Sequence, residues 1–252
     1  MLRKALLFLV LCGASVLYQA PATQWDNWLQ AASAERLSLL EASGSLWHGR
    51  GLVSIRDTTT GIRQPITPVT WGWRPLDLFR GQIAWNFSVA GLQPFSLSVS
   101  PSGVAASNVS IQLPMHEVME QIPNALARSG WRGDLNLTAD RWHCNWQNNC
   151  DGHADLFWRG AAADLFPNRN FGDYRFVLDA SGDSTDLKIE TLSGEVRLDG
   201  KGRFSKNGLN LQGSVEGDPA FVGRMPDVAG RWVRRSGTPG KILVDVKDGA
   251  AQ

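Results

Sequence analysis

Asp186-Leu-Lys-Ile-Glu190, Gly194-Glu-Val-Arg-Leu198, Gly202-Arg-Phe204 and Leu209-Asn-Leu-Gln-Gly-Ser-Val215 decide how the chain folds. Each alternates apolar and polar side chains, the period of a strand with one face covered and the other wet. Gly, Asp and Asn separate them, and Asp199-Gly200 and Asn207-Gly208 have the chemistry of tight turns. The spacing predicts a meander of short antiparallel strands.

The same period runs outward from that stretch. Leu37-Ser-Leu-Leu40, Gly51-Leu-Val-Ser-Ile55, Val69-Thr-Trp-Gly-Trp73, 82–89, Phe95-Ser-Leu-Ser-Val99 and 104–113 read as strands, with a polar turn over 57–61. In Phe95–Val99 the alternation is strict, so one buried and one wet face are expected. Pro75 ends the strand before it, because proline donates nothing to a ladder. Strands resume at Trp131, take in 134–140, 154–158 and 174–178, and close with 241–246 after an irregular stretch from Asp218 to Gly230. Two helices interrupt the pattern: one over 23–36 with Trp25, Trp28 and Leu29 on one side, and one over 114–122 stopped by Pro123. A weak internal echo pairs Leu46-Trp-His-Gly49 with Phe157-Trp-Arg-Gly160; each closes a predicted strand and is followed by a Leu-Phe pair (Leu78-Phe79, Leu165-Phe166) and a glycine that reopens one, Gly81 or Gly172.

Composition agrees with short strands and turns. The 252 residues include 26 Gly and 11 Trp but only 2 Tyr, and 19% are charged. With 25 basic and 24 acidic side chains and no Lys/Arg stripe, nucleic acid is excluded as a partner.

Arg3-Lys4 precede the apolar run Ala5-Leu-Leu-Phe-Leu-Val-Leu-Cys-Gly-Ala-Ser-Val-Leu17, which marks an exported chain. The run is short for a span, which needs about 20 apolar residues. Ala20-Pro-Ala22 also fits a small-residue cleavage site. An anchor and a cleavable signal both remain open, and both put the rest of the chain beyond the cytoplasmic membrane. Trp25 and Trp28 either sit at the membrane interface or pack on the domain. The expected organisation is a membrane segment over 1–22, a juxtamembrane helix or linker over 23–36, and a single β domain over 37–248.

Cys144 and Cys150 flank five residues, four of them polar turn formers, between two predicted strands. A bridge at a hairpin mouth is geometrically easy and an oxidising compartment favours it. The competing readings are two free thiols, or a metal held by His143, Cys144, Cys150 and His153. The spacing His-Cys-x5-Cys-x2-His is not that of a zinc finger, and neighbours on a strand point to opposite faces.

No catalytic motif was found: no Gly-x-Ser-x-Gly, His-Glu-x-x-His, phosphate loop or dinucleotide fingerprint. His48, His116, His143 and His153 have no triad spacing, and Asp179 and Asp183 lie near turns. The expectation is a protein that is not an enzyme, with no cofactor, metal or small-molecule substrate. Trp71, Trp73 and Trp85 fall on adjacent strands and read either as core or as an apolar partner patch.

Gly44-x-Leu46-Trp47-x-Gly49 followed by Trp71-x-Trp73-x-Pro75-Leu76-x-Leu78-x-x-Gly81-x-Ile83 resembles type II secretion system protein N. Phe171-Gly172-Asp173-Tyr174 looks like that family's Pro-Leu-Gly-x-Tyr stretch, with Asn170 and Phe171 in place of Pro and Leu. The likeness runs from the N-terminal segment to about residue 215 and rests on packing and turn residues. It implies a single-pass inner-membrane protein with a cytoplasmic N-terminus and a periplasmic domain. Such a protein is an accessory structural part of the secretion machine, partnered by other subunits of the inner-membrane platform. The implied fold is mainly β: an N-terminal membrane helix, then one curved antiparallel meander, half-barrel or sandwich-like, with one or two short helices. A periplasmic carrier or bridge for lipid or another apolar ligand is the second expectation, since a curved apolar face can hold acyl chains.

Overall fold

The protein was analysed as a computed structural model, which describes residues 15, 18–56, 62–90, 92–119, 130–164, 169–206, 208–222 and 233–249. Mainly β structure is what the alternating stretches produce: fourteen strands in one open antiparallel sheet. The chain divides into two compact units, Met1–Pro101 and Ser102–Gln252.

In the first unit, helix α1 (Thr23–Ala32) precedes β1 (Leu37–Gly44), β2 (His48–Arg56), β3 (Arg63–Trp73), β4 (Ile83–Val89) and β5 (Phe95–Ser100), which pair in chain order. A 3-10 helix, Pro75–Arg80, joins β3 to β4. Ala22, Leu39, Leu46, Val69, Trp71 and Trp85 form the core. β1 is an edge strand, and α1 and its C-cap residue Ser33 supply acceptors for its outward amides. Leu39 N–H donates to Asp26 Oδ1 at 2.7 Å and Leu37 N–H to Ser33 Oγ at 2.9 Å.

The second unit holds β6 (Gly103–Pro114), a short helix α2 (Met115–Met119), β7 (Trp131–Cys144), β8 (Cys150–Ala163), β9 (Gly172–Gly182), β10 (Ser184–Ser193), β11 (Arg197–Ser205), β12 (Gly208–Glu216), a single turn α3 (Pro219–Val222), β13 (Val233–Arg235) and β14 (Lys241–Gly249). Its order is sequential except at the end, where β14 lies between β12 and β13. Leu135, Trp158, Phe171, Tyr174, Val196, Val215 and Ile242 are among its core.

Several expectations need correcting. Asp199-Gly200 is not a turn: both residues sit inside β11, where Asp199 pairs with Ser214, and Gly200 with Ile189 and Gly213. Ladders on both sides satisfy this backbone, and a reversal there would break both. Residues 194–196 lie outside β11, which begins at Arg197. Neither echoed stretch closes a strand: Leu46–Gly49 runs from the β1–β2 turn into the start of β2, and β8 continues through Phe157–Gly160 to Ala163 with a register shift between Trp158 and Ala161. β5 has no wet face and no fully buried one, since all six residues are half-buried. Alternation assigns faces, but only a packing neighbour covers one. Pro114 ends β6 and does not open a helix. β11 ends at Ser205 and β12 opens at Gly208, while Asn207 of the expected turn lies outside the described residues. The turn over 57–61, the pair Leu165-Phe166, and 120–123 lie outside the described residues, as does the apolar run up to residue 14.

Candidate functional site: a tryptophan cluster and the turn beside it

The hub of the first unit is the turn Ser45–Trp47 between β1 and β2. Its backbone carbonyls accept three indole N–H groups. Leu46 O takes Trp25 Nε1 at 3.0 Å and Trp85 Nε1 at 3.1 Å, and Ser45 O takes Trp71 Nε1 at 3.0 Å. The rings meet edge to face or tilted: Trp25 lies edge to face 5.1 Å from both Trp85 and Phe87, and Trp47 lies tilted 4.9 Å from Trp73. Gly49, paired with Gly44, leaves room for this; a Cβ there would stand 2.5 Å from Trp71 Cζ2. Of the two readings of Trp71, Trp73 and Trp85, core packing is the one observed, with Trp71 and Trp85 buried. Trp25 packs on the domain, while Trp28 stands half exposed.

Trp73 leads directly into the 3-10 helix. Pro75 opens it, and Gly81 closes it in the left-handed region at φ 73°, its N–H reaching Asp77 O and Leu78 O. Asp77 is 3% exposed, with its carboxylate held by Arg74 Nε at 2.7 Å and Arg80 Nη1 at 3.2 Å. The helix turns its apolar side chains outward: Leu76 is 76% exposed, Leu78 55% and Phe79 90%. Sequence reasoning placed Leu78 in a motif without seeing this exposure. Pro75 and Gly81, a start and a stop six residues apart, were the signal for the helix itself.

In the second unit Gly172 and Tyr174 open β9. Gly172 has φ 138°, and a Cβ would lie 2.0 Å from Ser193 O, so only glycine fits. Tyr174 is buried against Trp158, its hydroxyl donating to Val196 O at 2.8 Å, and burial pushes its pKa up. Cys144 and Cys150 form a disulfide across the β7–β8 hairpin, where the two residues are direct partners. Asn145 Oδ1 caps the loop by accepting from Gln147 N and Asn149 N, both at 2.9 Å. His153 turns to carboxylates, with Nδ1 2.6 Å from Asp179 and Nε2 3.5 Å from Asp155. The Asp179 hydrogen bond raises its pKa, and the Arg175 hydrogen bond holds Asp155 below the usual carboxylate range. No group of three metal-ligating side chains occurs among the described residues.

A family model for type II secretion system (T2SS) protein N matches residues 35–228. The chain belongs to that family. Membership makes it a type II secretion component in kind and implies that it works with other components of that system. The protein N match begins after the N-terminal segment, which the motif resemblance had included, and runs beyond residue 215 to take in part of the irregular stretch. Of the motif residues, Gly44, Leu46, Trp47, Gly49, Trp71, Trp73, Pro75, Leu78 and Gly81 gather around one turn and its adjoining helix in the first unit. Gly172 and Tyr174 serve a second, separate core. No curated protein and no solved structure matches the chain. Among the described residues no helix is long and apolar enough to cross a membrane, and the run over 5–17 falls almost entirely outside them.

Proposed function

We propose that this chain is an accessory structural component of the type II secretion system. An uncleaved N-terminal segment holds it in the inner membrane with its N-terminus in the cytoplasm. Its sheet stands in the periplasm and supports export of folded proteins through contacts with platform subunits. It performs no catalysis and needs no cofactor.

The protein N match over 35–228 carries this reading. The Arg3-Lys4 flank before an apolar run supports the orientation, and the Cys144–Cys150 bridge suits an oxidising compartment. Carriage of an apolar ligand draws no comparable support. One cavity of about 500 Å³ on β9–β12 has Leu187 in its lining but is otherwise bordered mostly by charged and polar groups such as Asp186, Lys188, Lys201 and Arg203, which suit water and ions better than acyl chains.

Deleting the gene is expected to leave secreted substrates in the periplasm, and affinity purification of the full chain to retain platform subunits. Normal secretion together with no co-purification would overturn the proposal.

A further inference from the structure

We infer that the exposed turn bearing Leu76, Leu78 and Phe79 is a second membrane contact, dipping into the outer leaflet of the bilayer that holds the N-terminal segment. The inference rests on the anchored reading above.

Three apolar side chains exposed at 76%, 55% and 90% on one six-residue helix make a concentrated patch. The turn is also stiff. Asp77 is buried beneath it between Arg74 and Arg80, and the Gly81 cap closes it, so Leu76, Leu78 and Phe79 stay outside the core.

Its position names the occupant. The chain coming from the apolar run 5–17 joins the fold at residues 20–22. There Leu46 N–H donates to Ala20 O at 2.8 Å, Ala22 N–H donates to Gly44 O at 3.3 Å, and Pro21 bridges Ser45. The next residue of that turn, Trp47, accepts from Trp73 N–H at 2.7 Å, and Trp73 stands two residues before Pro75. Two backbone hydrogen bonds and a few residues of chain therefore connect the membrane-derived segment to the apolar turn. A bilayer holding residues 5–17 must lie at this end of the unit.

Charge fits as well. Arg74 and Arg80 flank the patch and only Asp77 lies between them, so the turn carries a net positive charge suited to anionic headgroups beneath which Phe and Leu sit in the acyl boundary.

The test uses the full chain with Phe79→Cys in a Cys12→Ser background. The new thiol carries an environment-sensitive dye, and the protein is reconstituted in phosphatidylethanolamine/phosphatidylglycerol vesicles with or without lipid bearing a shallow spin-label quencher. Leu76→Cys is a second reporter, and Ser88→Cys, exposed on β4, is the control. Intact mass reports whether the N-terminal segment is retained. The expected result is a full-mass, vesicle-embedded chain whose dye at 79 and 76 shifts to the blue and is quenched by the lipid, while the dye at 88 is not.

A full-mass, embedded chain whose dyes at 79 and 76 answer only to aqueous iodide overturns the membrane contact and leaves the anchored reading standing. Shielding that appears only when platform subunits are added also overturns it and assigns the patch to a protein. A shortened, free chain overturns the anchored reading instead. Adding vesicles to that chain then decides the turn separately: lipid quenching keeps the contact, and its absence removes it.

Discussion

Trp25 shows how much one side chain can organise. Its ring meets Trp71, Trp85 and Phe87, and its N–H shares the Leu46 carbonyl with Trp85. Trp25→Ala is expected to destabilise the first unit by about 3 kcal/mol, read as a lower denaturant midpoint at unchanged slope. His153 gives a pH signature. Its pKa is raised above its ordinary 6.5, foremost by the Asp179 hydrogen bond, so its contribution to stability is fully present below that value and disappears as pH rises through the raised pKa. The side chain is largely exposed, so the effect is small. His153→Gln is expected to lower the melting temperature slightly at about pH 5.5 and not at about pH 8.5. A difference that grew with pH would contradict this. Sequence alone singled out His153 only as a metal candidate, because its main partner, Asp179, comes from β9 and meets it only once β8 and β9 are in register.

At the scale of elements, the disulfide and the capped edge each lend themselves to a test. The Cys144–Cys150 loop is short, with a sequence separation of 6, so Cys144→Ser/Cys150→Ser is expected to cost about 2 kcal/mol in reversible unfolding. Asp26→Ala removes the acceptor for the Leu39 amide on the outer edge of β1. An edge amide freed in this way can pair with another chain, so the variant is expected to self-associate in size-exclusion chromatography at concentrations where the parent does not. Most strands were legible in sequence, since an alternating run such as Asp186-Leu-Lys-Ile-Glu190 needs no distant information. Asp199-Gly200 was misread because turn chemistry is a local preference, and here two neighbouring ladders override it. β13, with three residues, was too short for any period to show.

The two cores share no member: the tryptophan cluster belongs to the first unit, and the Trp158–Tyr174 cluster to the second. Free-energy changes from Trp25→Ala and Tyr174→Phe are accordingly expected to add within about 0.5 kcal/mol in the double variant. A larger coupling would mean that the units do not unfold as separately packed bodies. Apart from the exposed Leu78, the motif residues that revealed the family pack the core or turn the backbone, which is why the family was legible in sequence while the exposed face of the Pro75–Arg80 helix was not. Exposure depends on what fails to cover a side chain, and no stretch of sequence states that.

The exchanged order at the C-terminal end has a consequence for biogenesis. A polypeptide made N-terminus first can zip up as it emerges, because within each unit almost every strand meets a neighbour made just before it. β13 is the exception. It is made ahead of β14 yet has β14 as its neighbour, so it pairs only after β14 has emerged. Completion of this margin of the sheet thereby waits on β14, and a chain stalled before that strand would remain open there.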